Sequence, residues 1–210
     1  MRVIAATIIT MNADQLDHLR VMLRRFEMDS ASEDAQRHAT STLAFIGSTP
    51  YAWRRTTIEG HLTASAWVLD RTHTHVAMID HRKLNRWLQP GGHIDDSDIS
   101  WRDAAKRELT EETGLAQFIP NDRQDELFDV DVHSIPARRD EPAHLHYDLR
   151  FLFIANVDTG AEATFRVNVE ESNDCQWFRL AELANDPSLG PETHRMIELS
   201  TRRFPITGHT

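Results

Sequence analysis

The sequence predicts an α/β domain, a mixed β-sheet covered by helices and preceded by a helical N-terminal extension. Three observations carry this. Apolar residues alternate with period two from His61 to Val68 and again from Tyr147 to Ala155, as in half-buried strands. The segments Ser100–Thr113 and Pro191–Arg203 carry helix start or stop signals. No internal repeat and no Pro/Gly/Ser-rich linker divides the 210 residues, so one decorated domain is expected.

The elements follow in order. Residues 13–28 place Leu16, Leu19, Leu23 and Phe26 at helical spacing, and residues 31–43 form a weaker helix before Gly47 to Pro50 break the chain. Residues 1–55 therefore read as a helical extension. From His61 the period changes: Leu62, Ala64, Ala66 and Val68 alternate, Asp70–Thr74 turns, and His75–Ile79 gives a second strand. Gln89-Pro90-Gly91-Gly92 reads as a turn. Ser100 with Asp103 is a capping-box variant, and Gly114 is placed to end the helix. Phe128, Val130 and Val132 alternate, as do Tyr147, Leu149, Phe151, Phe153 and Ala155. Cys175–Phe178 is a short strand, Ala181–Ala184 a helical turn, and Pro191–Arg203 a last helix with proline near its N-terminus. Trp67 and Trp177 read as core, with Trp53 and Trp87 undecided.

Composition excludes several classes. No apolar run approaches the ~20 residues that span a bilayer, so no membrane partner is expected. The opening MRVIAATIIT is too short and poorly flanked for a signal peptide, and Met11 opens a more ordinary start, so the first ten residues read as an extension or a start-site artefact. The single Cys175 excludes an internal disulfide and suits a reducing cytoplasm. A net charge of −10 argues against a nucleic-acid polymer as partner and is compatible with a carboxylate site that takes positive charge from metal ions.

Chemistry concentrates between Gly91 and Leu115. On a helix, Glu108, Glu111 and Glu112 fall at i, i+3 and i+4 and share one face. Such neighbouring like charges destabilise an isolated helix by a few tenths of a kcal/mol per pair, roughly. Hard oxygen ligands without His or Cys suit Mg²⁺ or Mn²⁺ rather than zinc. Arg107, four residues before Glu111, is placed to clamp it. The spacing E-x-x-E-E alone is most often a solvated acidic face; the glycine turn before it and the glycine stop after it distinguish this one.

Arg107-Glu108-Leu109-Thr110-Glu111-Glu112-Thr113-Gly114-Leu115 resembles the second half of the Nudix box, G-x5-E-x7-R-E-U-x-E-E-x-G-U, at every specified position. The first half departs: Gly92 to Arg107 is one residue longer, and Asp98 stands where the first glutamate falls, as in a bacterial subgroup with a Gly-Gly-His opening. The resemblance implies a Nudix α/β/α sandwich over residues 56–210 and metal-dependent hydrolysis of a diphosphate linkage in a nucleoside diphosphate joined to another group. It implies Glu108, Glu111 and Glu112 as ligands of Mg²⁺ or Mn²⁺, with a carbonyl from Gly91 or Gly92 completing the set and Arg107 as their structural partner. A loop carboxylate often serves as base or ligand in this family; Glu170 and Glu171 are the candidates, Glu171 being preferred. The expected partner is a small nucleoside-diphosphate-type substrate, with a homodimer left open. Two rivals stand beside this: a Nudix-fold binding or sensor module that no longer hydrolyses, and an isoprenoid-diphosphate isomerase, which wants a cysteine acid that Cys175 supplies poorly.

A second cluster is His144-Leu145-His146-Tyr147-Asp148. At strand spacing His144, His146 and Asp148 point to one face, where they can ligate a transition metal, hold substrate phosphate or line a wet sheet face. Substrate contact is the reading adopted, because the similar subgroup carries this row next to its Nudix helix. His93, directly after the glycine turn, is expected to touch substrate as well.

Overall fold

The computed structural model describes residues 11–138, 141–159, 165–170 and 172–205. The opening ten residues lie outside this range. The elements run α1 (Ala13–Asp29), α2 (Glu33–Ser48), β1 (Gly60–Leu69), β2 (His75–His81), β3 (Arg86–Leu88), β4 (Gly91–His93), α3 (Trp101–Thr113), β5 (Phe118–Ile119), β6 (Asp129–Ile135), β7 (His144–Ala155), β8 (Ser172–Arg179), α4 (Leu180–Leu183) and α5 (Pro191–Arg203).

The sheet is built on two long strands. β1 and β7 pair in parallel over ten residues, from Gly60 opposite Leu145 to Leu69 opposite Ile154. The free edge of β1 takes β4 along its first half and β2 at its end, both antiparallel. That of β7 takes β6 and then β5, while β2 carries β3 and β8. Every residue of β1 is buried, so both sheet faces are covered.

The face carrying Leu62, Ala64, Ala66 and Val68 holds one core with Ala104, Ala105 and Leu109 of α3 and with Leu16, Leu19, Leu23, Ala39 and Ile46 of α1 and α2. The expected separate extension is thus packed into the sheet's own core. Phe45 of α2 stacks on Tyr147 of β7 at 4.1 Å. On the opposite face Trp67, Leu69, Leu152 and Ile154 pack under α4 and α5 through Leu180, Leu183, Met196 and Ile197. Trp53, undecided in the sequence, is buried and donates from its indole to Asp96 at 2.7 Å. Trp87 is half-buried against Phe178.

Three differences from the sequence reading have a common cause. α2 begins two residues later than expected and passes through Gly47 to Ser48, because Ile46 is buried against the sheet and extends the helix beyond its weak local signal. The glycine turn is followed by a strand, β4, since Gly91–His93 find the open edge of β1. β3 and β5, only three and two residues long, likewise owe their form to a partner strand.

Candidate active site and a histidine cluster

α3 is held at both ends by local chemistry. The Ser100 hydroxyl oxygen accepts the Asp103 backbone N–H at 3.1 Å and donates to the Asp103 carboxylate at 2.8 Å. Gly114, at φ 75°, adopts the left-handed conformation that ends the helix, its N–H bonded to Thr110 O. Ala104, Ala105 and Leu109 bury one side, which leaves the acidic side turned toward β4.

There the carboxylates meet the glycine strand. A methyl group at Gly92 would stand 2.6 Å from Glu108 Oε2, so a side chain here would push the carboxylate aside, and glycine lets strand and carboxylate lie together. Gly91 N–H donates to Glu112 Oε2 at 2.8 Å, although Glu112 is only 3% exposed. Glu111 is the open member, its side chain 54% exposed.

Arg107 ties these parts together. Its guanidinium donates to Glu108 Oε1 at 2.9 Å, to Glu111 Oε2 at 3.3 Å and to the His93 carbonyl at 2.8 Å. It also forks onto buried Asp98 at 3.0 and 2.9 Å. The Asp98 bond, with further help from Glu108, outweighs burial and raises the Arg107 pKa above its ordinary value. Asp98, which stands where the first glutamate of the box falls, is therefore the anchor of Arg107 and also accepts Asp95 N–H at 2.8 Å.

Oxygen donors on one helix face, beside a backbone strand that a Cβ would obstruct, fit a hard divalent cation. Glu170 is exposed; Glu171, its preferred neighbour, lies outside the described residues. Cys175 is buried in β8, and burial, together with the charges of Asp174 and Glu112, pushes its thiol pKa up.

The row His144, His146, Asp148 shares one sheet face but falls into two environments. Asp148 is 2% exposed and fully engaged: it accepts from Thr63 Oγ1 at 3.0 Å, from Ser65 Oγ at 2.8 Å and from Arg150 Nε at 2.9 Å. Arg150, also 2% exposed, pairs in addition with Asp129 at 2.9 Å and Asp131 at 3.3 Å, and Arg195 forks onto Asp129 at 2.8 Å. Burial alone would raise the pKa of Asp131; hydrogen bonds with His133 and His38 and the charge of Arg150 override it and hold it below the usual range. This network did not figure in the sequence reading. Its signal was there in the period-two run of Asp129, Asp131 and His133 facing His146, Asp148 and Arg150 across two strands. Arg150→Met should cost about 3–5 kcal/mol, because it strands buried carboxylates. Urea unfolding would show this as a lower midpoint at constant slope, and a loss under about 1 kcal/mol would mean that Arg195 suffices alone.

The histidines gather at the other end of that face. His61 lies opposite His146 in the β1–β7 register, and His93 follows Gly92 on β4, so its ring takes the face away from Glu108. Ring centroids separate His61 from His93, His144 and His146 by 5.1, 5.1 and 4.7 Å. Burial, reinforced by neighbouring positive charges, lowers the pKa of His61 to about 4, of His93 to about 3 and of His146 to about 2. His93 and His146 thus take the sheet face opposite the one that packs on α3. His61 escaped the sequence reading because its strand was oriented by Leu62, Ala64 and Ala66 on the other face.

Fold and site together define the class: an α/β sandwich in which one helix turns a row of carboxylates toward a glycine strand. A family model described as NUDIX domain matches residues 60–199. The chain belongs to the Nudix family. It is 39% identical over 56 residues to an uncharacterized 17.7 kDa protein from the e-segB intergenic region of Enterobacteria phage T4, covering 27% of this chain and 34% of that one. The chain thus spans about a third of that relative's length. Among solved structures it is similar to a Nudix-family hydrolase from Clostridium perfringens, with 22% identity, a TM-score of 0.46 and coverage of 69% of this chain and 95% of that one. It is also similar to a MutT protein from Methanosarcina mazei, with 16% identity, a TM-score of 0.48 and coverage of 70% and 96%. No described helix is long and apolar enough to cross a membrane.

Proposed function

We propose that the chain hydrolyses a phosphoanhydride bond in a nucleoside diphosphate linked to another moiety, with Mg²⁺ or Mn²⁺ held by Glu108, Glu111, Glu112 and the Gly92 carbonyl. The observation that supports this most is the approach of the Glu108 carboxylate to Gly92, which sets the helix carboxylates beside a backbone carbonyl strand. A divalent cation at this place neutralises the diphosphate and makes the attacking water easier to deprotonate. The protein's own groups do the rest. Glu112 is fixed by Gly91 N–H, and Arg107 holds Glu108 and Glu111 while locking helix to strand through the His93 carbonyl and Asp98. Arg107 is therefore a positioning residue. Glu111, half exposed, is the carboxylate best placed to take a proton from water and pass it to solvent. Glu171 remains the loop candidate for the same role.

Retention of all three helix glutamates favours hydrolysis over a binding or sensor module. Phosphate release from a panel of nucleoside-diphosphate compounds should vanish with excess chelator and return with Mg²⁺ or Mn²⁺. Full turnover in excess chelator would sink the metal-dependent reading.

A further inference from the structure

We propose that His61, His144 and His146 form a second metal site, selective for a borderline transition ion such as Zn²⁺, on the sheet face opposite the carboxylate helix. One ligand nitrogen from each of the three lies within 4.8 Å of the others, the one such group among the described residues. The two Nε2 atoms of His144 and His146 stand 3.2 Å apart. Two nitrogens bound to one tetrahedral zinc at 2.0–2.1 Å lie about 3.3–3.4 Å apart, so the pair is already at ligand spacing.

Hydrogen bonding points the same way. The Nδ1 of His144 faces the Pro142 carbonyl at 2.9 Å. A carbonyl only accepts, so Nδ1 carries the proton and Nε2 keeps its lone pair for the cluster, the outer contact that usually orients a metal-ligating histidine. His61 is 1% exposed, and neither ring nitrogen has a hydrogen-bond partner. An imidazole with both nitrogens buried and unsatisfied is rare in folded proteins; a metal satisfies one of them. His93 and His133 close the sides, at ring distances of 5.5 and 5.6 Å from His146.

Nitrogen donors separate this site from the oxygen site on α3, since imidazole suits zinc, copper, nickel or cobalt and carboxylate suits magnesium or manganese. Three protein ligands leave a fourth position. Glu141 Oε1 lies 3.9 Å from His144 Nε2, and beside it opens a cavity of ≈ 610 Å³ lined by Arg55, Thr57, Ile58, Glu141 and Pro142 together with His61 and His144. Glu141 and this cavity adjoin two of the three ligands, as would suit an open rather than a sealed zinc site.

The test uses tag-free full-length protein stripped of metal and titrated with Zn²⁺ or Co²⁺ alone. One tight equivalent of Zn²⁺ is expected, and Co²⁺ should give the intense visible absorption of a four-coordinate nitrogen site. Zn²⁺ affinity should fall about 100-fold or more in His61→Ala and His146→Ala, beyond the 10–100-fold typical of losing an outer-shell partner. Zn²⁺ affinity should be retained in Glu108→Gln. Should the histidine variants fail to fold, the Co²⁺ spectrum of the unaltered protein decides: weak six-coordinate bands overturn the proposal. So does the absence of a tight equivalent, or a loss of Zn²⁺ binding in Glu108→Gln with the histidine variants unaffected.

Discussion

Replacing Glu112 by glutamine is expected to lower kcat by about 10²–10⁴ while leaving the unfolding midpoint close to its original value, the range seen when a catalytic acid–base group is lost. The two halves of this expectation have separate causes. Glutamine keeps the volume of a side chain that is 3% exposed and still offers an oxygen to the Gly91 N–H, so the β4–α3 junction survives. The negative charge goes, and with it one ligand for a divalent cation. Glu111→Gln keeps the fold for a different reason, its half-exposed position, and loses both a charge and a proton acceptor. Steady-state rates on the nucleoside-diphosphate panel, with thermal unfolding alongside, separate chemistry from folding. A loss of tenfold or less in both variants would return the acidic face to the role of solvated surface.

The helix that carries this chemistry was legible because everything that shapes it is local. Ser100 and Asp103 start it, Gly114 stops it, and the three glutamates share a face by helical geometry alone. What escaped was whatever depends on a partner distant in sequence. β4 looked like a turn because Gly91 and Gly92 carry no strand propensity; the register with Thr63, Ala64 and Ser65 makes it a strand. Period two oriented β1 correctly by Leu62, Ala64 and Ala66, yet alternation says nothing about what covers the second face. There His61, Thr63 and Ser65 are buried opposite His146, Asp148 and Arg150 of β7, so the polar half of the alternation belongs to the interior as well. Asp148 shows the same limit. Its strand spacing with His144 and His146 was read correctly, but only the parallel register reveals that two hydroxyls and an arginine already occupy it.

The N-terminal helices make the largest stability difference. A chain beginning at residue 56, where the sequence places the start of the domain, is expected to lose cooperative unfolding. Leu16, Leu19, Leu23, Ile46 and Trp53 are at most 6% exposed and belong to the core that Ala64, Ala66, Leu109, Val130 and Tyr147 share. At about 2 kcal/mol for each large buried side chain, their burial is on the order of 10 kcal/mol, comparable to the whole stability of a typical domain. Part of this is helix against helix and leaves with them. The remainder is matched by sheet surface newly open to water, and by polar contacts that cross the cut. Leu62 N–H loses the Ala52 carbonyl, the Trp101 indole loses the Gln15 carbonyl, and the Val130 carbonyl loses His38. Differential scanning calorimetry of residues 56–210 should show no sharp transition, with dye binding to exposed apolar surface. A sharp transition within a few degrees of the full chain would mean that α1 and α2 are a separable layer after all.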